Sequence, residues 1–114
     1  MDHERILLAE THEGMRAAQK KLFEQEGHTV VADTGTLRGV KQIVDDPTIE
    51  FRVAVVSGHL PDVGDGEKAA ELIRATRPET IIISNSGVMH QTFGDVNLYK
   101  GDPSDLLLEA IKNA

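Results

Sequence analysis

The sequence lacks cysteine and tryptophan and contains only one tyrosine and three phenylalanines. Without cysteine there is no disulfide framework, no thiol catalysis and no thiolate metal site. Long apolar runs are missing too: runs such as Val53–Val56 and Ile81–Ile83 have the length of buried strands, whereas a membrane helix needs about 20 apolar residues. Met1 leads into a charged segment with no apolar signal region behind it. These absences lead us to expect a cytoplasmic protein with no membrane partner.

Positive charge is also scarce. Twelve Lys and Arg residues stand against 19 Asp and Glu residues, which gives a formal net charge of −7. Lys20 and Lys21 are the only adjacent basic pair. Because nucleic-acid backbones are bound by clustered Lys and Arg, we expect no nucleic-acid partner.

Five short aliphatic segments alternate with helical patterns in the 114 residues. This alternation predicts an α/β protein with the flavodoxin-like (βα)5 fold, in which helices cover both faces of a parallel sheet of strand order 2-1-3-4-5. One domain, residues 1–114, accounts for the length. The predicted strands are Arg5–Ala9, Thr29–Ala32, Arg52–Val56, Thr80–Ile83 and Val96–Tyr99.

Three helices are predicted over His12–Glu26, Thr36–Asp45 and Gly66–Thr76. A last helix should start with Asp102 as its cap and Pro103 in its first position. The segment Ser86–Asp95 contains two glycines and few helix formers, so a fourth helix there should be short or irregular. The residues predicted to point inward from the first and last helices are Met15, Ala18, Leu22, Phe23, Leu106, Leu107, Ala110 and Ile111.

Four motifs, in order, resemble the receiver domains of two-component response regulators. They are RILLAET, VAVVSGHLPDVGDG, IIIS and NLYKGDPSDLLLEAI, and together they cover nearly the whole chain. The resemblance implies that Glu10 is one member of an acidic metal-binding pair. It also implies that Ser84 is the hydroxyl residue that switches with phosphorylation, and that Lys100 is the lysine that contacts the acyl phosphate.

Several positions depart from the family pattern. Thr11 stands where the resemblance places the second carboxylate, and Ser57 where it places the phosphate-accepting Asp. Asn97 replaces an aromatic switch residue, and Gly101 replaces the proline after the lysine, so no cis peptide bond is expected there. A serine cannot form an acyl phosphate, and Mg²⁺ prefers several hard oxygen ligands, of which Glu10 is the only carboxylate left.

These departures predict a pseudo-receiver: a binding protein and not an enzyme, with Mg²⁺ binding weak or lost and no phosphorylation by a histidine kinase or small phosphodonor. It would act through a protein partner in a signalling pathway. The resemblance implies a partner surface around His90, Gln91, Tyr99 and the last helix. A further possibility is that the fold serves only as a dimerisation unit, which would make a second copy of the chain the partner.

Alternatives of a different class remain open. Asp62 or Asp65, in the loop after Pro61, could serve as a non-standard phosphate acceptor if that loop were rearranged. His12 and His59 could join Glu10 in a three-ligand metal site. The chain could also be a flavodoxin-like domain that binds a small ligand, although the glycine spacing around His12 fits cobalamin-binding domains poorly.

Overall fold

The computed structural model describes residues 3–87 and 92–114. Over these residues the chain forms a five-stranded parallel sheet and four helices. In chain order the elements are β1 Arg5–Ala9, α1 Glu13–Gln25, β2 Thr29–Thr34, α2 Leu37–Val44, β3 Val53–Val56, α3 Asp65–Thr76, β4 Ile81–Ser86, β5 Val96–Tyr99 and α4 Ser104–Lys112.

The strand order is β2-β1-β3-β4-β5, which confirms the predicted flavodoxin-like topology. All neighbouring strands are parallel, and β5 lies at the edge of the sheet as expected. The registers Ala9↔Val56 and Val56↔Ser84 bring the ends of β1 and β3 level with Ser84 of β4, which continues to Ser86. The residues that follow β1 and β3 therefore lie side by side at one edge, next to the last residues of β4.

Two aliphatic cores sandwich the sheet, as the alternation of strands and helices predicts. On one face, α2 and α3 pack on Leu7, Ala54 and Ile82. On the other face, Phe23 of α1 and Ile111 of α4 pack against β1, β3 and β4. Because successive side chains of a strand point to opposite faces, residues directly after a strand continue this alternation. Whether a residue is an odd or an even number of positions along its strand thus decides whether its side chain faces α1 and α4 or α2 and α3.

Several local predictions were wrong. β4 continues to Ser86 instead of ending at Ile83. The cap of α4 is Pro103, while the Asp102 carboxylate accepts the backbone N–H of Tyr99 at 2.9 Å, because this carboxylate closes the turn before the helix. Leu106 is 43% exposed and Ala18 is also exposed, so α1 and α4 bury narrower faces than their apolar spacing predicts.

The segment predicted as a weak fourth helix is only partly described. Ser86 belongs to β4, and Gly87 and residues 92–95 are not helical. Residues 88–91, including His90 and Gln91 of the predicted partner surface, lie outside the described residues. No helix within residues 3–87 and 92–114 is long and apolar enough to cross a bilayer.

Candidate functional site

Three polar side chains converge at the carboxyl edge of the sheet, on the face covered by α1 and α4. The Lys100 Nζ lies 2.5 Å from Glu10 Oε1 and 3.2 Å from Ser57 Oγ. Glu10 is 3% exposed and Ser57 4% exposed, so both are shielded from water, while the Lys100 side chain is 21% exposed. The structure therefore brings together three of the residues that the sequence singled out.

The second carboxylate oxygen of Glu10 is also engaged. Glu10 Oε2 accepts the backbone N–H of His12 at 2.9 Å, which fixes the turn between β1 and α1. Arg16 on α1 donates from Nη1 to the backbone carbonyl of Glu10 at 2.7 Å. Its Nε lies 3.3 Å from a carboxylate oxygen of Asp33. The side chain and the backbone carbonyl of Glu10 are therefore both held by residues that follow it in the chain.

Thr11 points away from this cluster. Its Oγ1 lies 2.6 Å from the carbonyl oxygen of Gly35 and 3.1 Å from that of His59, and its single proton can be donated to either. The Thr11 side chain thus ties together the loops after β2 and β3. It does not stand beside Glu10 as a second metal ligand.

Ser84 and Asn97 form a separate pair on the opposite face of the sheet. They are register partners on β4 and β5, and the Ser84 hydroxyl donates to Asn97 Oδ1 at 2.7 Å. The same oxygen accepts the N–H of Gly94 at 2.9 Å, and Asn97 Nδ2 donates to the Gly94 carbonyl at 3.1 Å. Ser84 is fully buried on the side of Ile82, away from Ser57 and Lys100.

The loop between β3 and α3 packs tightly beneath Ser57. A Cβ on Gly66 would collide with the carbonyl oxygen of Ser57, and the Gly66 N–H donates to the Gly58 carbonyl at 3.1 Å. Asp65 is buried at the first turn of α3, where its carboxylate accepts the N–H of Asp62 at 3.1 Å. The Asp65 carboxylate therefore has a structural partner within its own loop, and Asp62 is exposed.

The two candidate histidines have different surroundings. His12 is the N-cap of α1, and its Nδ1 accepts the N–H of Met15 at 3.0 Å. The Nε2 of His59 is buried and makes no hydrogen bond. Across the described part of the chain, no group of three His, Cys, Asp or Glu residues is placed to hold a metal ion.

The donor set also does not fit the Mg²⁺ ion that receiver domains would imply. Mg²⁺ requires oxygen ligands in near-octahedral geometry and is usually held by carboxylates. Here both Glu10 oxygens have partners, the Thr11 hydroxyl faces backbone carbonyls, and Ser57 is neutral. The ammonium group of Lys100 lies between the two remaining oxygen donors. A cation already compensates the one available carboxylate.

Two residues of this region escaped the sequence interpretation. Arg16 binds the Glu10 carbonyl, but no spacing rule distinguishes an inward-facing helical arginine from a solvated one. Asn85, directly after Ser84, is only 7% exposed and lies on the same face as Lys100. Asn85 stands between two serines in the polar second half of β4, so its residue type alone did not distinguish it.

Part of the predicted partner surface is visible at the edge strand. Val96 and Tyr99 on β5 are 36% and 38% exposed, and Leu106 on α4 is 43% exposed. Val96 and Leu106 line one shallow depression between the sheet edge and α4. Large apolar side chains are therefore presented to solvent on this side of the molecule.

The sequence matches no protein-family model and no curated protein. Solved structures share its fold over nearly the whole chain. A response regulator receiver domain (CheY-like) from Methanospirillum hungatei JF-1 has a TM-score of 0.84 at 23% identity, covering 96% of this chain and 91% of that one. The response regulator protein TrrA from Thermotoga maritima, in complex with Mg²⁺ and BeF, has a TM-score of 0.83 at 18% identity, with coverages of 96% and 97%.

A third similar structure is the signal receiver domain of a modulated diguanylate cyclase from Desulfovibrio desulfuricans G20. Its TM-score is 0.82 at 18% identity, covering 97% of this chain and 92% of that one. At these identities the similarity establishes a receiver fold and leaves the chemistry to be argued from the side chains.

Proposed function

We propose that this chain is an atypical receiver domain that acts in cytoplasmic signal transduction by binding a protein partner, without being phosphorylated and without enzymatic activity. The observation that carries the proposal is the Lys100–Glu10–Ser57 cluster, in which lysine and carboxylate neutralise each other. The receiver fold of the similar structures supports the signalling role.

The chemistry of Ser57 supports independence from phosphorylation. A serine hydroxyl is a weak nucleophile unless a neighbouring base activates it. The polar group beside Ser57 is the Lys100 ammonium, which donates to Ser57 Oγ and is no base while paired with Glu10. Phosphoryl transfer to Ser57 would therefore have no carboxylate as acceptor, no set of ligands suited to Mg²⁺ and no base to activate the hydroxyl.

The position of Ser84 supports the same conclusion. In a receiver that switches, the hydroxyl at this position would move toward the phosphorylated residue. Here the Ser84 hydroxyl is bound to Asn97, which also closes the turn at Gly94. We infer that the β4–β5 face is held in one arrangement, so that partner binding depends on a constant surface.

The exposed apolar side chains at the sheet edge support a protein partner. Val96, Tyr99 and Leu106 are each more than one-third exposed. Val96 and Leu106 line one depression, and contiguous apolar surface commonly marks an interaction site. The formal charge of −7 opposes a nucleic-acid partner, because phosphates would be repelled.

Affinity capture from native lysate tests this proposal. The bait is the wild-type chain, with Leu106→Glu as the surface variant and Val63→Glu as the matched control, because Val63 is 77% exposed but lies in the loop before α3. We expect one partner, or a second copy of the chain, to be captured by wild type and by Val63→Glu and lost with Leu106→Glu. Capture that requires acetyl phosphate and Mg²⁺ would contradict the proposal.

A further inference from the structure

A cavity of about 240 Å³ opens between α1, the end of β4, β5 and the start of α4. Its apolar wall consists of Met15, Leu22, Leu98 and Leu107. The sequence pattern of α1 predicts that Met15 and Leu22 are buried, yet both are only half-buried. Both side chains line the cavity, so neither is covered completely.

Polar groups converge on one end of this cavity. Asn85 lines it and is 93% buried, and its side-chain amide makes no hydrogen bond within the part of the chain that the structure describes. Tyr99, also in the wall, is the residue next to Lys100. Among the described residues the Nε2 of His59 is the one buried side-chain atom that lacks both a partner and contact with solvent, so the Asn85 amide is reached by water through the cavity. A ligand that displaces this water must return its hydrogen bonds to keep its affinity.

The charges around the cavity define the class of ligand. Lys100 contributes to the wall, but its ammonium group is already compensated by Glu10 at 2.5 Å. Asp102 contributes a carboxylate to the same wall, which would repel an anion. Neither a positive nor a negative ligand is therefore favoured, and the hydrogen-bonding demand comes from the neutral Asn85.

We propose that this cavity is a binding site for a small uncharged molecule that combines an apolar body with an amide or lactam edge. An Asn side chain offers a donor and an acceptor side by side, and a cis amide returns the complementary pair. The volume corresponds to about eight water molecules, which limits the ligand to the size of a small ring compound. Such pockets are typically apolar with a few convergent polar groups.

The site does not depend on the proposed signalling role. Its ligand would contact Lys100 and Tyr99, which lie between the Glu10 cluster and the exposed edge of the sheet.

Titration of the ¹⁵N-labelled protein with δ-valerolactam, followed by backbone NMR, tests the inference. We expect saturable shifts at Met15, Leu22, Asn85 and Leu98 with a dissociation constant of about 1 mM or lower, as befits a ligand of this size. N-methyl-δ-valerolactam, which lacks the N–H donor, should bind about tenfold more weakly. Absence of saturable shifts, or equal binding of the two lactams, would overturn the proposal.

Two substitutions on α1 give a matched pair. Ala18 lines the cavity and is exposed, so Ala18→Leu should fill the space and abolish lactam binding while the helix is retained. Ala17 is equally exposed on the same helix but does not line the cavity, so Ala17→Leu should bind like wild type. Asn85→Ala should weaken binding about tenfold. Lactam binding that persists in Ala18→Leu would place the ligand elsewhere and overturn the assignment.

Discussion

Lys100 and Glu10 meet across the sheet, with the Lys100 Nζ 2.5 Å from Glu10 Oε1, although β5 and β1 are separated by β4 and β3. The contact is possible because Lys100 extends along the carboxyl edge over Ser57. This ion pair joins the edge strand of the sheet to its centre. It also leaves the region without net charge, which removes the electrostatic reason for binding a metal ion.

Glu10→Gln should destabilise the folded state. The Lys100 side chain is 21% exposed, and its ammonium group would lose the carboxylate that compensates it, while the backbone N–H of His12 would keep an acceptor. We expect the free energy of unfolding to fall by about 2 kcal/mol, because a partly buried charge is left without a partner. Denaturant unfolding monitored by circular dichroism measures this change.

The control for this substitution is Asp45→Asn on α2. Lys41 and Asp45 form an exposed pair four residues apart, with side chains 63% and 52% exposed. Removing that charge should cost less than about 0.5 kcal/mol, since water screens it. Equal losses for Glu10→Gln and Asp45→Asn would mean that the Glu10 pair contributes no more than a surface contact.

Asn97→Ala should disrupt the turn before β5. The Ser84 hydroxyl would remain fully buried without its acceptor, and the Gly94 N–H would lose the same oxygen. A loss of about 1–3 kcal/mol is expected from a buried hydroxyl without a partner. Asn97→Asp keeps the accepting oxygen and should cost less than Asn97→Ala. Hydrogen exchange at Gly94 should accelerate in the alanine variant, and unchanged protection there would contradict this account.

Stability should depend on Glu4 at acidic pH. The Arg52 guanidinium donates two hydrogen bonds to the Glu4 carboxylate, at 3.0 and 2.8 Å, and holds its pKa below the ordinary value of 4.5. A carboxyl with a lowered pKa stabilises the folded state fully above its ordinary pKa, and the contribution disappears as the pH falls through the lowered value. The advantage of wild type over Glu4→Gln should thus be about 1 kcal/mol at neutral pH, because Arg52 is half exposed, and should shrink below pH 4.5.

Unfolding curves at pH 7 and at pH 3 measure this difference for both proteins. The remaining carboxyls titrate in wild type and variant alike, so the difference between the two isolates Glu4. An advantage that grows as the pH falls would have the wrong sign for a lowered pKa.

Restoring carboxylates should restore a response to magnesium. The double variant Thr11→Asp, Ser57→Asp would introduce the two carboxylates that the receiver resemblance implies, one at position 57 in the Lys100–Glu10–Ser57 cluster and one at position 11, where the longer acidic side chain would have to leave the carbonyls of Gly35 and His59. We expect its melting temperature to rise on addition of Mg²⁺, with an affinity about tenfold or more above that of wild type, because hard carboxylate ligands determine Mg²⁺ binding. Differential scanning calorimetry with and without Mg²⁺ measures the effect. An equal response of wild type would show that Glu10 alone suffices.

The fold could be predicted from the sequence because its pattern is regular. Buried strands such as Val53–Val56 read as continuous aliphatic runs, and the alternation of strands and helices leaves few possible topologies. Element ends were less certain. Asp102 is of a residue type that often caps helices, yet its carboxylate accepts the N–H of Tyr99 instead. The sequence does not show which of several nearby N–H groups a carboxylate will bind.

The site was predictable only in part. Glu10, Ser57 and Lys100 meet because each follows a strand on the same face of the sheet. Thr11 and Ser84 lie at the same edge but do not join them. The Thr11 hydroxyl binds loop carbonyls, and the Ser84 side chain points to the opposite face of the sheet, where it binds Asn97. The cavity at Asn85 depends on how far α1 and α4 stand apart, which no pattern in the sequence encodes.

The most direct test of the account is a titration of the wild-type chain with beryllofluoride and Mg²⁺, followed by backbone NMR. A site in which Lys100 already compensates the single carboxylate should not respond, so we predict no saturable shifts at Glu10, Ser57, Ser84 or Lys100. Saturable shifts clustered at these four residues would contradict the proposal and show that the chain is a working phosphate acceptor.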